Sequence, residues 1–375
     1  MKILITTSAI LLSVITASAQ QTYPSSAGPL KIDTVAKGLS YPWGVAFLPD
    51  GQMLVTERPG RMRVVAKDGT VSEAISGVPR VFASGQGGLL DVIIDRNFAS
   101  NRTIYFSYAE PVEGGGRTAL ARAQLDSGAK PALSAVKVIY RQEGSISRGN
   151  HFAGRIVQAA DGNLFVTNGD HFSGRDKAQT LDNDLGKIVR ITPDGDAPKD
   201  NPFVGKSGAR PEIWSYGHRN PQGLAINPAD GKLWEQEHGA QGGDEVNLVQ
   251  PGKNYGWPLV SFGVNYDGSK IGTGKSEGPG LEQPLWHWTP SIAPSGMTFY
   301  TGDLFPAWKG SLFNGALKFQ LLSRLEVKGD KVVKEERLLQ GLQERIRDVR
   351  QGPDGALYLL TDDNAGRILR VSPAK

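Results

Sequence analysis

Between Tyr216 and Pro258 the chain sets a guanidinium and an amide, Arg219 and Asn220, immediately before a strand-like apolar run. That pair can address one oxygen-rich ligand. The next run ends in a Gly-rich loop where Gly239, Ala240, Asp244 and Glu245 offer carbonyl and carboxylate oxygens, the donors a hard cation takes. Anion and cation binders thus stand one strand apart. Solvated loop charges, with Tyr255 and Trp257 as core aromatics, would read the same in isolation. The weight therefore falls on other segments that repeat the arrangement.

Polar groups recur just before strand-like runs: Gln86 before Leu89, His151 before Ile156, Arg219-Asn220 before Leu224, and Arg345-x-Arg347 before Val349, with Lys318 after Gly315-Ala316-Leu317. Together they offer three guanidiniums, an ammonium, two amides and one imidazole, a set that suits a flat polyanion. No Walker-type or Rossmann fingerprint points to a phosphate chain. Neighbouring positive charge would hold His151 neutral, which makes it a candidate general base. Arg345 and Arg347 could equally pair with Asp348 and Glu344 at the surface. His171, His218, His238 and His287 are read as hydrogen-bonded loop residues. No Gly-x-Ser-x-Gly elbow supports serine hydrolysis.

Such residues meet only if the elements carrying them are arranged around a centre. Trp43 to Phe47, Pro49-Asp50-Gly51 and Met53 to Thr56 read as a hairpin, with Gly60 to Val65 as a third strand. The unit recurs at Leu89 to Tyr108, Arg155 to Ile191, Gln222 to Gln236, Ser295 to Val327 and Asp348 to Val371. Six copies of a sheet that cannot bury both faces alone predict an all-β, six-bladed β-propeller of four-stranded antiparallel sheets. A two-sheet sandwich would need fewer and less regular turns. Glu110 to Asn150, Gly169 to Leu185 and Gly256 to Ile292 are long enough to read as loops walling one end of the channel. Tyr23 to Pro29 reads as an exposed tail.

Composition narrows the class. Met1-Lys2, the apolar run Ile3 to Ile15 and Ala17-Ser18-Ala19 read as a signal peptide over 1–19, followed by one domain over 20–375. A periplasmic or secreted location follows, and no later run is apolar enough for stable membrane insertion. Without cysteine there are no disulfides, thiol nucleophiles or Cys-ligated metals. Removing Lys2 leaves 42 − 1 = 41 basic against 38 acidic residues, too slight a surplus for a nucleic-acid binder.

Gly85-Gln86-Gly87-Gly88-Leu89-Leu90, Asn150 to Arg155, Gly217-His218-Arg219-Asn220-Pro221-Gln222-Gly223-Leu224, Gly242 to Asn247, Asn254 to Pro258, Pro290 to Gly296 and Arg345 to Val349 resemble, in order, the quinoprotein glucose/sorbosone dehydrogenases. The bacterial aldose sugar dehydrogenase branch is the nearest in kind. The resemblance implies a six-bladed propeller that oxidises the C1 hydroxyl of aldose sugars to the lactone, with hydride transfer to pyrroloquinoline quinone (PQQ) assisted by Ca2+, and an unidentified electron acceptor. It implies His151 as catalytic base and Arg219 as its electrostatic partner. It further implies Gln86, Arg219, Asn220, Lys318, Arg345 and Arg347 around the quinone, Gly239 and Ala240 carbonyls on its calcium, and Glu245 and the Tyr255 carbonyl on a second calcium, with Asn265 and Asp267 as further candidates. Asn150 stands where the glucose-specific branch has an aspartate, so an orienting partner for His151 must be weaker or come from elsewhere. Ala240 stands where proline is common. A non-catalytic binding propeller and a calcium-dependent lactonase are the alternatives.

Overall fold

In the computed structural model, which describes residues 21–374 other than 127 and 129, six antiparallel sheets form a closed ring. The signal-peptide reading lies outside the described residues. Blade 1 is Pro42–Phe47, Met53–Glu57 and Arg61–Val65; blade 2 is Leu89–Ile94, Thr103–Val112, Gly115–Asp126 and Ala132–Arg141. Blade 3 comprises Ala153–Gln158, Leu164–Asn168, Lys187–Ile191 and Ile213–Tyr216, and blade 4 Pro221–Ile226, Leu233–Glu237, Asp244–Val249 and Trp286–Trp288. Blade 5 is Pro294–Phe299, Leu312–Ala316, Leu322–Lys328 and Lys331–Leu338, and blade 6 is Ile346–Gln351, Leu357–Thr361, Gly366–Pro373 and Leu30–Leu39. The first strand of each blade touches the first strands of its two neighbours, and blade 6 meets blade 1. No helix among the described residues is long and apolar enough to cross a membrane.

Two expectations are corrected. Most of Glu110 to Asn150 is not a wall: the run extends the second strand of blade 2 and supplies its two outer strands, the first largely buried and the last, at the sheet edge, more exposed. The tail is anchored as well, because Thr22–Tyr23 pairs with Leu30–Lys31 and Tyr23 is buried in the core between blades 5 and 6. The strand after it, Leu30–Leu39, completes blade 6 by pairing along Gly366–Pro373. Blade 6 is thus sewn shut by the N-terminal segment, whereas blade 1 has three strands.

Alternation with period two explains the ring. In blade 3, Leu164 and Val166 enter the core shared with blade 2, while Phe165 between them enters the core shared with blade 4. Every other interface has its own core, so each sheet is apolar on both faces. Each inner strand also opens with a register shift near its entrance, at Pro42/Gly44, Leu89/Val92, Ala153/Ile156, Pro221/Gly223, Pro294/Met297 and Ile346/Asp348. A bulge there re-aims the side chains around it, here at the same end of all six strands.

The third residues of those strands are Gly44, Asp91, Arg155, Gly223, Gly296 and Asp348. Arg155 Nη1 lies 3.0 Å from Asp348 Oδ1 and 3.4 Å from Asp91 Oδ1, and Arg350 reaches the same two carboxylates at 2.9 and 2.7 Å. A Cβ at Gly44 would sit 2.8 Å from Asp91 Oδ1, and one at Gly296 would collide with Asp348 Oδ1. Blades without a charge therefore contribute space. Replacing Arg155 with Met should lower the unfolding free energy by about 3–5 kcal/mol in a denaturant titration, since two carboxylates would remain buried with one cation. Replacing Lys309, whose partner Asp303 is exposed, should leave the denaturation midpoint unchanged.

Candidate functional site

His151 precedes the inner strand of blade 3, with its backbone at φ +51° and its ring buried. Gln86, at the entrance to blade 2, holds that backbone by accepting its N–H at 2.8 Å. The ring finds an orienting partner that is not its sequence neighbour. Asp170, just beyond the second strand of blade 3, accepts from Nδ1 at 2.6 Å, and this places the Nδ1–H tautomer and a bare Nε2. Asp170 is itself fixed by Trp257 Nε1 at 2.8 Å and by the Phe172 N–H at 2.7 Å. A side chain at Gly169 would strike the His151 carbonyl, so glycine allows the two segments to meet. Burial pulls the His151 pKa below its usual value, Asp170 opposes this, and Arg219 adds to it. The imidazole is neutral mainly because it is dry, with neighbouring cations secondary.

Arg219 and Asn220 stand at the entrance to blade 4. Glu237 accepts both of their backbone N–H groups, at 2.5 and 3.1 Å, which fixes the turn. The Arg219 guanidinium packs over Trp257, 5.2 Å from the ring centroid, and donates from Nη1 to the Gly239 carbonyl at 2.5 Å. Its Nε, the Asn220 amide nitrogen and Arg347 Nε are buried donors without a partner among the described residues. Orphaned donors of this kind are what an anionic, acceptor-rich ligand would satisfy.

Arg347 and Arg345 converge on Asp362 rather than on Asp348 or Glu344, at 3.3 and 2.9 Å. Burial alone would raise the Asp362 pKa; Arg347 and then Arg345 overcome it and hold it at about 2. These groups, with Arg58, Gln86, Gln222 and His238, line an axial cavity of about 210 Å³. Burial likewise depresses His238 to about 3, and its Nε2–H donates to the Pro294 carbonyl at 2.6 Å. Lys318 is not drawn into the lining: its neighbour Leu317 is, while its own exposed ammonium lies over Phe319. Asp170, Phe172, Arg175, Arg219, Ala240, Trp257, Asn265, Tyr266 and Asp267 line a second cavity of about 450 Å³ at the mouth. Two of the three long insertions therefore do build walls. His151 lies between the cavities, tied to Gln86 in one and Asp170 in the other.

Behind Arg219, Glu237 pairs across the ladder with Glu245, and Glu235 with Asn247. Withdrawal from water, then the Glu237 carboxylate, pushes Glu245 well above the usual carboxylate range. Crowded acids in that state suit a cation, and Tyr255 joins Glu237 and Glu245 around a small cavity there. Burial would lower His218, but Glu235 and Glu237 outweigh it and raise the pKa to about 9. His218 and His171 are hydrogen-bonded, as expected; His287 instead stacks on Phe262.

Asp170, Asp362 and Arg58 carried no motif that distinguished them from loop charges. The one available signal for Asp170 was its position after a strand end, in an insertion already suspected of walling the channel.

A family model described as "Glucose / Sorbosone dehydrogenase" matches residues 39–370. The aldose sugar dehydrogenase YliI of Escherichia coli (strain K12) is 47% identical over 92% of this chain and 93% of its own. The apo crystal structure of the soluble aldose sugar dehydrogenase from E. coli superposes with a TM-score of 0.89 at 46% identity, covering 92% of this chain and 100% of that one. The PQQ-bound aldose sugar dehydrogenase of Streptomyces coelicolor gives 0.75 at 30% identity, covering 92% and 98%.

An NMR titration of the imidazoles should find His151 ionising below pH 6.5. Asp170→Asn should move it lower still, because the carboxylate is what favours the proton, and Arg219→Met should move it up.

Proposed function

The chain belongs to the Glucose / Sorbosone dehydrogenase family, and from that premise we propose the roles its residues play in oxidising aldose sugars. The protein is a sugar-oxidising oxidoreductase, a quinoprotein aldose sugar dehydrogenase that uses PQQ and Ca2+. When bound, PQQ supplies a two-electron acceptor and calcium a Lewis acid beside it.

The observation that carries the proposal is the Asp170–His151 contact, which leaves Nε2 bare between two cavities. His151 Nε2 takes the proton of the sugar C1 hydroxyl, and Asp170 stabilises the imidazolium so formed. Arg219 offers its guanidinium to the oxygen on which negative charge develops. Arg345, Arg347, Asn220 and Gln86 would hold the quinone through donors that lack partners or face the axial cavity, and Lys318 would join them only by swinging its ammonium off Phe319. The donor set fits a polycarboxylate. The carbonyls of Gly239 and Ala240 would hold the cofactor's calcium, with the Arg219 Nη1 bond to Gly239 given up to the metal. Glu245 and the Tyr255 carbonyl would hold the second. A periplasmic or secreted site of action follows from the reading of residues 1–19, and electrons pass to a separate acceptor.

Reconstituting the purified protein with PQQ and Ca2+ should produce aldose-dependent dye reduction. A panel of mono- and disaccharides defines the range. His151→Ala should abolish turnover while leaving PQQ binding, followed by its absorbance, within about twofold; turnover near wild type would refute the assigned base. Lactone hydrolysis without PQQ would instead favour a hydrolase, and sugar binding without turnover a non-catalytic propeller.

A further inference from the structure

Among the described residues two aromatic side chains are strongly exposed, Phe172 at 51% and Tyr266 at 65%, and both line the mouth cavity beside Arg219. Aromatics in this chain are otherwise buried or half-buried, so their coincidence in one cavity calls for a ligand. Phe172 is also held at a backbone cost. His171 and Phe172 lie consecutively at φ +55° and +64°, a region bulky residues avoid. What holds them there is Asp170 Oδ1, which accepts the Phe172 N–H at 2.7 Å as well as His151 Nδ1 at 2.6 Å. One carboxylate oxygen thus aims both the base and the aromatic ring. The two rings stand nearly perpendicular, 77° apart with centroids at 5.5 Å.

We infer that Phe172 is a sugar-binding residue: its phenyl face takes the apolar C–H face of the pyranose whose C1 hydroxyl meets His151, with Tyr266 as the opposing wall. A pyranose is amphipathic, with hydroxyls around its rim and C–H patches on its faces. A polar cavity alone cannot grip those faces. Arg175 and Asp267 supply partners for the rim hydroxyls, and the aromatic plates supply the rest. This rests on the dehydrogenase reading, and it adds a ring-shaped specificity element to a site otherwise defined by its base and cations.

The test uses the PQQ- and Ca2+-loaded enzyme with glucopyranose, comparing wild type with Phe172→Ala, Phe172→Leu and Phe172→Tyr. Ala and Leu should raise KM about five- to tenfold, with kcat changing less, and Tyr should restore KM. An unchanged KM in the Ala variant overturns the inference. So does rescue by Leu equal to that by Tyr, or a loss confined to kcat with a shifted acid limb, since either means the ring only shields His151. Ligand-observed NMR of glucopyranose on the cofactor-free protein gives a second readout: its signal should weaken in Ala and Leu but persist in Tyr. If the wild-type enzyme shows no PQQ-dependent turnover, the dehydrogenase reading fails, while the NMR series still decides whether Phe172 binds the ring.

Discussion

Four charges on the propeller axis, three fully buried and one partly buried, hold the ring in register. Asp91 of blade 2, Arg155 of blade 3, and Asp348 and Arg350 of blade 6 form a closed set, and Arg155 extends it by donating to the carbonyls of Gln222 and Arg347. Charges this dry are tolerable only when every partner stands in place, so the set penalises any slippage of one inner strand against the next. The glycines facing it from blades 1 and 5, Gly44 and Gly296, leave room for its two carboxylates. Trp43 covers the Arg155 guanidinium at 4.0 Å and also lies 5.8 Å from that of Arg347, one residue ahead of Asp348.

The site is built on the same strand entrances. Arg347 lies one residue before Asp348, and His151 two residues before the blade 3 strand that carries Arg155. In blades 1, 4 and 6 the residue just before the third, Trp43, Gln222 and Arg347, faces the cavity above. Structural and chemical charges share one scaffold, and this lets unpartnered donors such as Arg347 Nε persist: the neighbouring network fixes the backbone that presents them. Their lack of partners lowers stability locally and is tolerated where a ligand would restore the bonds.

The catalytic arrangement depends on contacts between segments distant along the chain. His151 takes its backbone restraint from Gln86 and its ring partner from Asp170, and Asp170 is in turn held by Trp257. Gln179 exchanges amide hydrogen bonds with Asn254 at 3.0 and 2.8 Å and donates to the Trp257 carbonyl at 2.7 Å, which joins the two insertions that form the mouth. Loops so tied act as fixed walls, which preorganises the base before any substrate arrives.

Much of this was legible in the residues. Pro-Asp-Gly turns and short alternating runs define six similar units because turn chemistry and side-chain alternation are local properties. The polar residues at the strand entrances could be recognised by their repeated position, although which of them would share a cavity could not. Glu110 to Asn150 reads as a loop since Gly and Pro punctuate it, and the pairing that makes it a sheet is made with the strand ahead of it and between its own two strands. Tyr23 looked solvent-exposed because its burial depends on a strand that joins the far end of the chain. The Asp170–His151 pair, the Asp362 bridge and the left-handed turn that exposes Phe172 were decided only by the tertiary structure, because each is a distance across the fold or a backbone angle enforced by such a contact, and neither quantity is encoded in residue type or spacing.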